Sequence, residues 1–238
     1  MSAEPHLDAG APPALLRPAP WDAAAFGLPA WELAEYSTAA LARADATPGI
    51  QTIKVDPLAD KRLLQQHGFY YADTLLETSA APAQLRAFEI APGLRVSRDI
   101  GSADAAALLA ICHGAFAHGR FHRDLNMEQA GAARRYDNWL LQLLAAGQVH
   151  ALYAADGAPA GFIGHHGHSL VLHAVAPSQR GRGLAKHWWR LVIDELFAAG
   201  HATVGSSISA GNMAVLNLYA SLGFSFHRPQ DIYHRIVP

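Results

Sequence analysis

The chain has 238 residues, 51% of them hydrophobic and 16% charged, with 20 acidic against 18 basic side chains and a formal net charge of -2. That length buries enough surface for one large domain or two modest ones. The near-neutral balance without a Lys/Arg cluster argues against nucleic acid as a partner. The single cysteine excludes an internal disulfide, and no apolar run is long enough to span a bilayer. The Met-Ser-Ala-Glu-Pro start has neither the basic nor the apolar part of a secretory signal. The expectation is a soluble cytoplasmic protein with no membrane partner.

Residues 1–20, rich in Ala and Pro, read as a mobile tail. Trp31 to Tyr36 alternates as a half-buried strand does, and Ile50 to Val55 reads as a second strand. Pro57 opens a helix through Gln66, with Gly68 as its left-handed cap. Phe69 to Glu77 is a third strand. Ala80 to Pro92, with two prolines, reads as a linker. A second unit starts near Leu94, with Arg95 to Ile100 strand-like and Ser102 capping a helix that runs to about Ala117. Cys112 lies in that apolar helix and reads as a buried structural thiol.

A polar segment, Gly119 to Gly131, precedes a helix whose Tyr136, Trp139, Leu140 and Leu143 share one face. Val149 to Ala154 and Ala160 to Gly164 flank the hairpin turn Asp156-Gly157. Leu170 to Val175 is a strand, Gln179 to Gly183 a glycine-rich turn, and Leu184 to Ala199 a helix. Ala202 to Ile208 is a strand. Asn212 to Leu222 is a helix closed by Gly223, and strands follow at Phe224 to Arg228 and Ile232 to Val237. The order is that of an α/β (α+β) fold with a mixed sheet and antiparallel hairpins at both ends. It divides into a unit over 21–92 and a larger one over 93–238.

The chemistry concentrates at Arg180-Gly181-Arg182-Gly183-Leu184-Ala185, which joins a strand to a helix. Glycines at 181 and 183 allow a tight turn with successive N–H groups aimed into one concavity. The following helix adds the positive end of its dipole, and together these suit a pyrophosphate. A ligand-free glycine turn would look the same in isolation. The apolar strand before it, however, and Asn212, Tyr219 and Leu222-Gly223-Phe224 after it form a set that resembles the GNAT acetyltransferases over roughly residues 95–238.

That resemblance implies a GNAT acyltransferase fold and an N-acetyltransferase that uses acetyl-CoA, with coenzyme A as product and no metal. The acceptor is a primary amine. Residues 180–185 (Arg180, Gly181, Arg182, Gly183, Leu184 and Ala185) would hold the phosphates, and Val175, on a bulged strand, the acetyl carbonyl. Asn212 would both cap its helix and touch the cofactor. Tyr219 would protonate the departing thiolate; packing beneath the sheet is its other reading.

The stretch Asp60 to Phe69 echoes Val215 to Phe224, each an apolar helix ending in Gly-Phe and feeding a strand. The N-terminal unit therefore reads as a degenerate half-GNAT-like copy without a phosphate turn.

The whole chain also resembles a narrower group, the TDP-fucosamine acetyltransferases, which act on a nucleotide-linked amino-deoxysugar. The supporting residues are Trp21, Phe26-Gly27, His67-Gly68-Phe69, Ala115 to Phe121, Tyr136 and Trp139. This implies a substrate wall of Arg120, Phe121 and Tyr136, with Arg120 pairing a phosphate. It also places the base at Asp73, acting through water, where glutamate is the group's choice.

His173 competes as base because its intrinsic pKa suits the task. The bunched His165, His166, His168 and His173 lack a Cys or carboxylate at ligand spacing, and a strand sends His165 and His166 to opposite faces. Open alternatives are another small amine or protein N-terminus as acceptor, a non-catalytic acyl-CoA-binding module, and a homodimer as against a monomer.

Overall fold

The computed structural model describes residues 15–238. One ten-stranded mixed sheet spans them, in the order β1-β2-β3-β10-β4-β9-β8-β7-β6-β5. Its strands are β1 (Leu16–Pro18), β2 (Ala30–Leu33), β3 (Gly49–Val55), β4 (Tyr70–Ala80), β5 (Arg95–Ser97), β6 (Val149–Tyr153), β7 (Pro159–His166), β8 (Ser169–Val175), β9 (Val204–Ser209) and β10 (Ser225–Val237). The helices are α1 (Pro20–Phe26), α2 (Thr38–Asp45), α3 (Arg62–Gln66), α4 (Ser102–Cys112), α5 (Arg120–Arg123), α6 (Gln129–Ala145), α7 (Ala185–Ala198) and α8 (Met213–Leu222).

The expected elements are present in the expected order, and four short ones are additional: β1, α1, α2 and α5. Residues 1–14 of the expected tail lie outside the described residues. Its remainder is structured: Leu16 is buried and β1 pairs antiparallel with β2. Pro18 ends that edge strand and Pro20 opens α1, the two places where proline costs no ladder or helix bond. Gly27, at φ 68°, closes α1. Ser37 caps α2 by accepting from the Ala40 N–H at 3.2 Å.

Two helices are shorter than their apolar patterns suggest. Asp56 and Asp60 accept from the Leu58 and Arg62 main-chain N–H groups, so α3 starts only at Arg62. α4 is capped by Gly101, not Ser102, and stops at Cys112 because Gly114 takes φ 75°. The two expected C-terminal strands are one strand, β10, interrupted between His227 and Gln230, where Arg228 takes φ 46°.

Three clusters make the core. One face of β6–β8 packs under α4, α5 and α6 through Leu108, Cys112, Phe121, Leu140, Leu143, Phe162 and Leu172. The opposite face packs on α7 and α8 through Trp188, Trp189, Ile193, Ile163, Leu170, Tyr219 and Phe224. A smaller cluster joins α2 and α3 to β1–β3 and Tyr233. Cys112 is fully buried, and burial pushes its thiol upward, as a structural role requires.

The expected divide near residue 92 does not divide the sheet. β4, from the N-terminal unit, lies between β9 and β10 and pairs antiparallel with both. β10 in turn pairs with β3. Each unit thus contributes a central strand to the other's side of the sheet. Arg135 on α6 and Asp22 on α1 add an ion pair at 2.5 Å, with both side chains largely buried.

Candidate active site between the splayed strands

β8 and β9 run parallel but stay paired only at Ser169↔Gly205 and Leu170↔Ser206. Beyond that point they diverge. The departure coincides with a register shift in β8, where Gly164 faces Leu172 and His165 faces Leu170, leaving Val171 as the extra residue. The bulge expected in this strand is therefore present, four residues before Val175. Ala176 donates its N–H to the Ala160 carbonyl on β7. Its neighbour Val175 consequently points its own N–H and C=O the other way, into the opening. Arg180 Nε donates to that carbonyl at 2.9 Å, so the N–H of Val175 is the group left for a ligand.

The strand leads through a short 3₁₀ turn, Pro177–Gln179, into the glycine turn. Gly181 and Gly183 take φ 71° and 72°, and a Cβ on either would meet nothing within 4 Å. Their requirement is thus conformational and not steric: side chains there would have to adopt the left-handed region. α7 opens at Ala185 with no side chain capping its N-terminus, so its first N–H groups remain for a ligand anion. Arg182 turns aside to donate to Gln179 Oε1 at 2.7 Å. Asn212 caps α8 as expected, Oδ1 accepting from the Val215 N–H at 3.3 Å.

A cavity of about 930 Å³ runs from this turn along the opening to the far side of the sheet. Val175, Arg180, Gly181, Gly183, Leu184, Ala185 and Asn212 line one end; Asp73, Arg120, Phe121 and Tyr136 line the other. Arg182 is not among the lining residues, which its bond to Gln179 explains. The cavity thus has main-chain donors of the glycine turn at one end and buried side chains at the other.

On the wall of the cavity Asp73 is 2% exposed. Its Oδ1 accepts from Ser209 Oγ at 2.8 Å and from the Thr74 N–H at 2.9 Å, which leaves Oδ2 without a protein donor among the described residues. Burial raises the Asp73 pKa above the ordinary carboxylate value, against the lowering effect of those two bonds and of Arg123 and Arg120. The short side chain is therefore not a solvated strand carboxylate. Opposite it, Tyr136 is buried and stacks on Phe116 with ring centroids 4.3 Å apart. Gly119 backs against the Tyr136 hydroxyl, where a Cβ would come within 2.4 Å of it. Phe121 is 1% exposed, its ring lying against Phe26, His234 and the Arg135 guanidinium, so most of it serves the core.

His173 lines the cavity, but burial drives its pKa down to about 4. Burial thus weakens the imidazole as a proton acceptor and strengthens the carboxylate of Asp73, the other candidate. Tyr219 is fully buried and does not itself line the cavity, whereas Val215 and Leu218 of α8 do. Its hydroxyl lies 3.3 Å from His173 Nε2, and burial pushes the phenol up to about 12. Both readings of Tyr219 thus have structural content, as packing beneath the sheet and as a protonated phenol beside a lining residue. Among the described residues no group of three or more His, Cys, Asp or Glu stands ready to hold a metal.

Sequence reasoning missed the cluster that carries α5. Asp124 Oδ2 accepts from His234 Nδ1 at 2.8 Å and from the Tyr70 hydroxyl at 2.9 Å, and Oδ1 from the Asn126 N–H at 3.0 Å. His234 is fully buried, and burial lowers its pKa against the raising effect of Asp124. Its partners come from β4, β10 and the loop after α5, three places with no shared sequence pattern.

Residues 118–224 match the model of the Acetyltransferase (GNAT) family. The fold is the GNAT fold. A GCN5-related N-acetyltransferase from Sphaerobacter thermophilus is similar in structure, with TM-score 0.59 and 16% identity over 81% of this chain; the chain spans 62% of that protein's length. A tandem GNAT protein from the clavulanic acid biosynthesis pathway is similar at TM-score 0.53 and 13% identity, over 88% of this chain and 76% of that one. A GCN5-related N-acetyltransferase from Kribbella flavida has TM-score 0.53 and 14% identity, over 88% and 81%. No curated protein matches the sequence. The GNAT family's chemistry is acyl transfer from acyl-CoA, and the likeness to a tandem GNAT protein fits a chain whose two units share one sheet.

Proposed function

We propose that this GNAT protein is an acetyl-CoA-dependent N-acetyltransferase acting on a primary amine by direct attack in a ternary complex. One observation carries the reading: a single cavity joins the glycine turn and the splayed strands to a buried carboxylate, Asp73. Bound acetyl-CoA supplies the activated acetyl group. Gly181, Gly183 and the N-terminus of α7 hold its phosphates, with Leu184, Ala185 and Asn212 along the same wall. The Val175 N–H is placed to donate to a carbonyl oxygen between the strands. Asp73 Oδ2 takes the proton of the incoming ammonium through water. Tyr219, protonated at neutral pH, is the donor for the departing thiolate, held beside the cavity by His173.

In this reading residues 21–92 form a substrate-side unit, because β4 brings Asp73 to the acceptor end, and residues 93–238 form the acetyltransferase unit. The narrower acceptor we infer is the amine of a nucleotide-linked amino-deoxysugar, supported by the sequence resemblance and by Arg120 and Tyr136 on the cavity wall. The proposed donor implies a cytoplasmic setting. Calorimetric titration with coenzyme A, followed by thiol release from acetyl-CoA across nucleotide amino-sugars, amino acids and simple amines, tests both levels. Binding with turnover on an amino-sugar is expected. Turnover only on another class overturns the narrower acceptor. Binding without turnover on any amine supports a non-catalytic module, and absence of binding removes the assignment.

A further inference from the structure

The placement of Asp73 depends on an irregularity in β4. Side chains alternate along a strand, so a regular β4 would send Asp73 to the face of Tyr71 and away from Tyr70. Against β10, however, Asp73 faces Ile232 and Tyr71 faces Tyr233, which leaves Ala72 as an extra residue. This bulge returns Asp73 to the face of Tyr70, whose hydroxyl bonds Asp124 beyond α5, and so to the cavity wall. Tyr71 and Thr74 give the same count from the other face. Three residues apart, they would point opposite ways in a regular strand, yet the Tyr71 hydroxyl lies 2.9 Å from Thr74 Oγ1.

A bulge disrupts the ladder and bends its strand, so its neighbours must hold it in place. Here the hold comes from residues outside the cavity. Thr74 Oγ1 donates to Asp231 Oδ1 on β10 at 2.7 Å and accepts from the Tyr71 hydroxyl. Lys61, the residue before α3, pairs with Asp231 Oδ2 at 3.3 Å and also donates to the Pro57 carbonyl. The main chain of Thr74 is fixed as well: its carbonyl accepts from the Ala210 N–H at 2.7 Å, just past β9, and its N–H donates to Asp73 Oδ1. Lys61, Tyr71, Thr74 and Asp231 are all absent from the cavity wall. We propose that Thr74 and Asp231 are positioning residues, a clasp behind the sheet that fixes the bulge at Ala72 and so holds the Asp73 carboxyl in the cavity. The role of that carboxyl as base rests on the acetyltransferase reading; its placement does not.

Carboxyl carbon NMR of the full chain follows the titration of Asp73 in wild type, Thr74→Ser, Thr74→Val and Asp231→Ala, with Asp73→Asn assigning the signal. Wild type and Thr74→Ser are expected to share one midpoint, because serine keeps the hydroxyl. Thr74→Val removes the hydroxyl at nearly constant shape, and Asp231→Ala removes its acceptor; in both the midpoint is expected to move. Turnover on an accepted amine should fall about ten- to hundredfold in both, as a misplacement of up to about 1 Å does. Coenzyme A affinity by calorimetry should stay unchanged, because the glycine turn is untouched. In the Asp73→Asn background Thr74→Val is expected to cost no further turnover, whereas general damage to the sheet would add its own loss. A wild-type midpoint in both Thr74→Val and Asp231→Ala overturns the proposal, and so does an additive loss in the double variant. Shifted midpoints with undiminished turnover leave the clasp standing and remove Asp73 as the base instead.

Discussion

Asp73→Asn separates a catalytic carboxylate from a structural one, because the two roles predict opposite signs. Both hydrogen bonds of the side chain go to Oδ1, from Ser209 and Thr74. An amide oxygen accepts both equally well, so the substitution keeps the local geometry and removes only the charge and the basic Oδ2. If Asp73 is the base, turnover falls by about 10²- to 10⁴-fold, or about 2.7–5.4 kcal/mol of barrier. Stability moves the other way. The folded-state pKa of Asp73 is raised by burial, so the folded chain holds this proton to higher pH than the unfolded chain does. Its unfavourable contribution therefore grows as pH rises from about 3.9 through the folded value. The Asn variant lacks that penalty. It should be no less stable than wild type at neutral pH, and the difference should fade as pH falls below about 4. The acid limb of kcat/KM in wild type should also sit above the ordinary aspartate range. Stopped-time thiol release across pH and thermal unfolding at matched pH give both readouts. A variant with near-wild-type turnover and an unshifted acid limb would show that another group accepts the proton. A clear loss of stability would show that the charge, and not merely Oδ1, holds β4 to β9.

Tyr219→Phe should lower turnover by about 10²- to 10⁴-fold while the affinity for coenzyme A, measured by calorimetry, stays within a few-fold. Unchanged turnover would leave Tyr219 as a packing residue against His173 and Phe224. Gly183→Ala forces a side chain into the left-handed region where space is open, so it should cost only about 1–2 kcal/mol of stability. Calorimetry should show coenzyme A affinity falling by more than that cost explains. Asp22→Ala strands the buried Arg135 guanidinium that ties α6 to α1 and should cost about 3–5 kcal/mol in denaturant unfolding.

The conformation of the glycine turn was legible because its requirements are local. Two glycines in the left-handed region, a strand before and a helix after all lie within one short stretch of chain, and the Asn212 cap and Gly223 stop are local in the same way. The acceptor end was legible only by residue type. Asp73, Arg120 and Tyr136 all line one cavity, yet nothing local shows that Phe121 is mostly core or that burial lowers the His173 pKa. Such facts depend on burial by residues distant in sequence. The short elements β1, α1 and α2 were missed for a different reason. Their signals, Pro20 with Gly27 and Ser37 before Thr38, are present, but elements of three to eight residues are too short for an apolar period to mark them.

The strand exchange explains why the two ends of the site differ in this way. β4 carries Asp73 out of the N-terminal unit and lies against β9, while β10 returns from the C-terminal unit to pair with β3. Ser209, the partner of Asp73, is 136 positions away in sequence. The glycine turn therefore needs only residues 175–185 to form, whereas the cavity wall that carries Asp73 exists only when both units are folded onto one sheet. The same dependence holds for α5: Asp124 finds Tyr70 on β4 and His234 on β10, one residue from each side of the exchange. The N-terminal unit thus supplies, through β4, the strand that carries the proposed base.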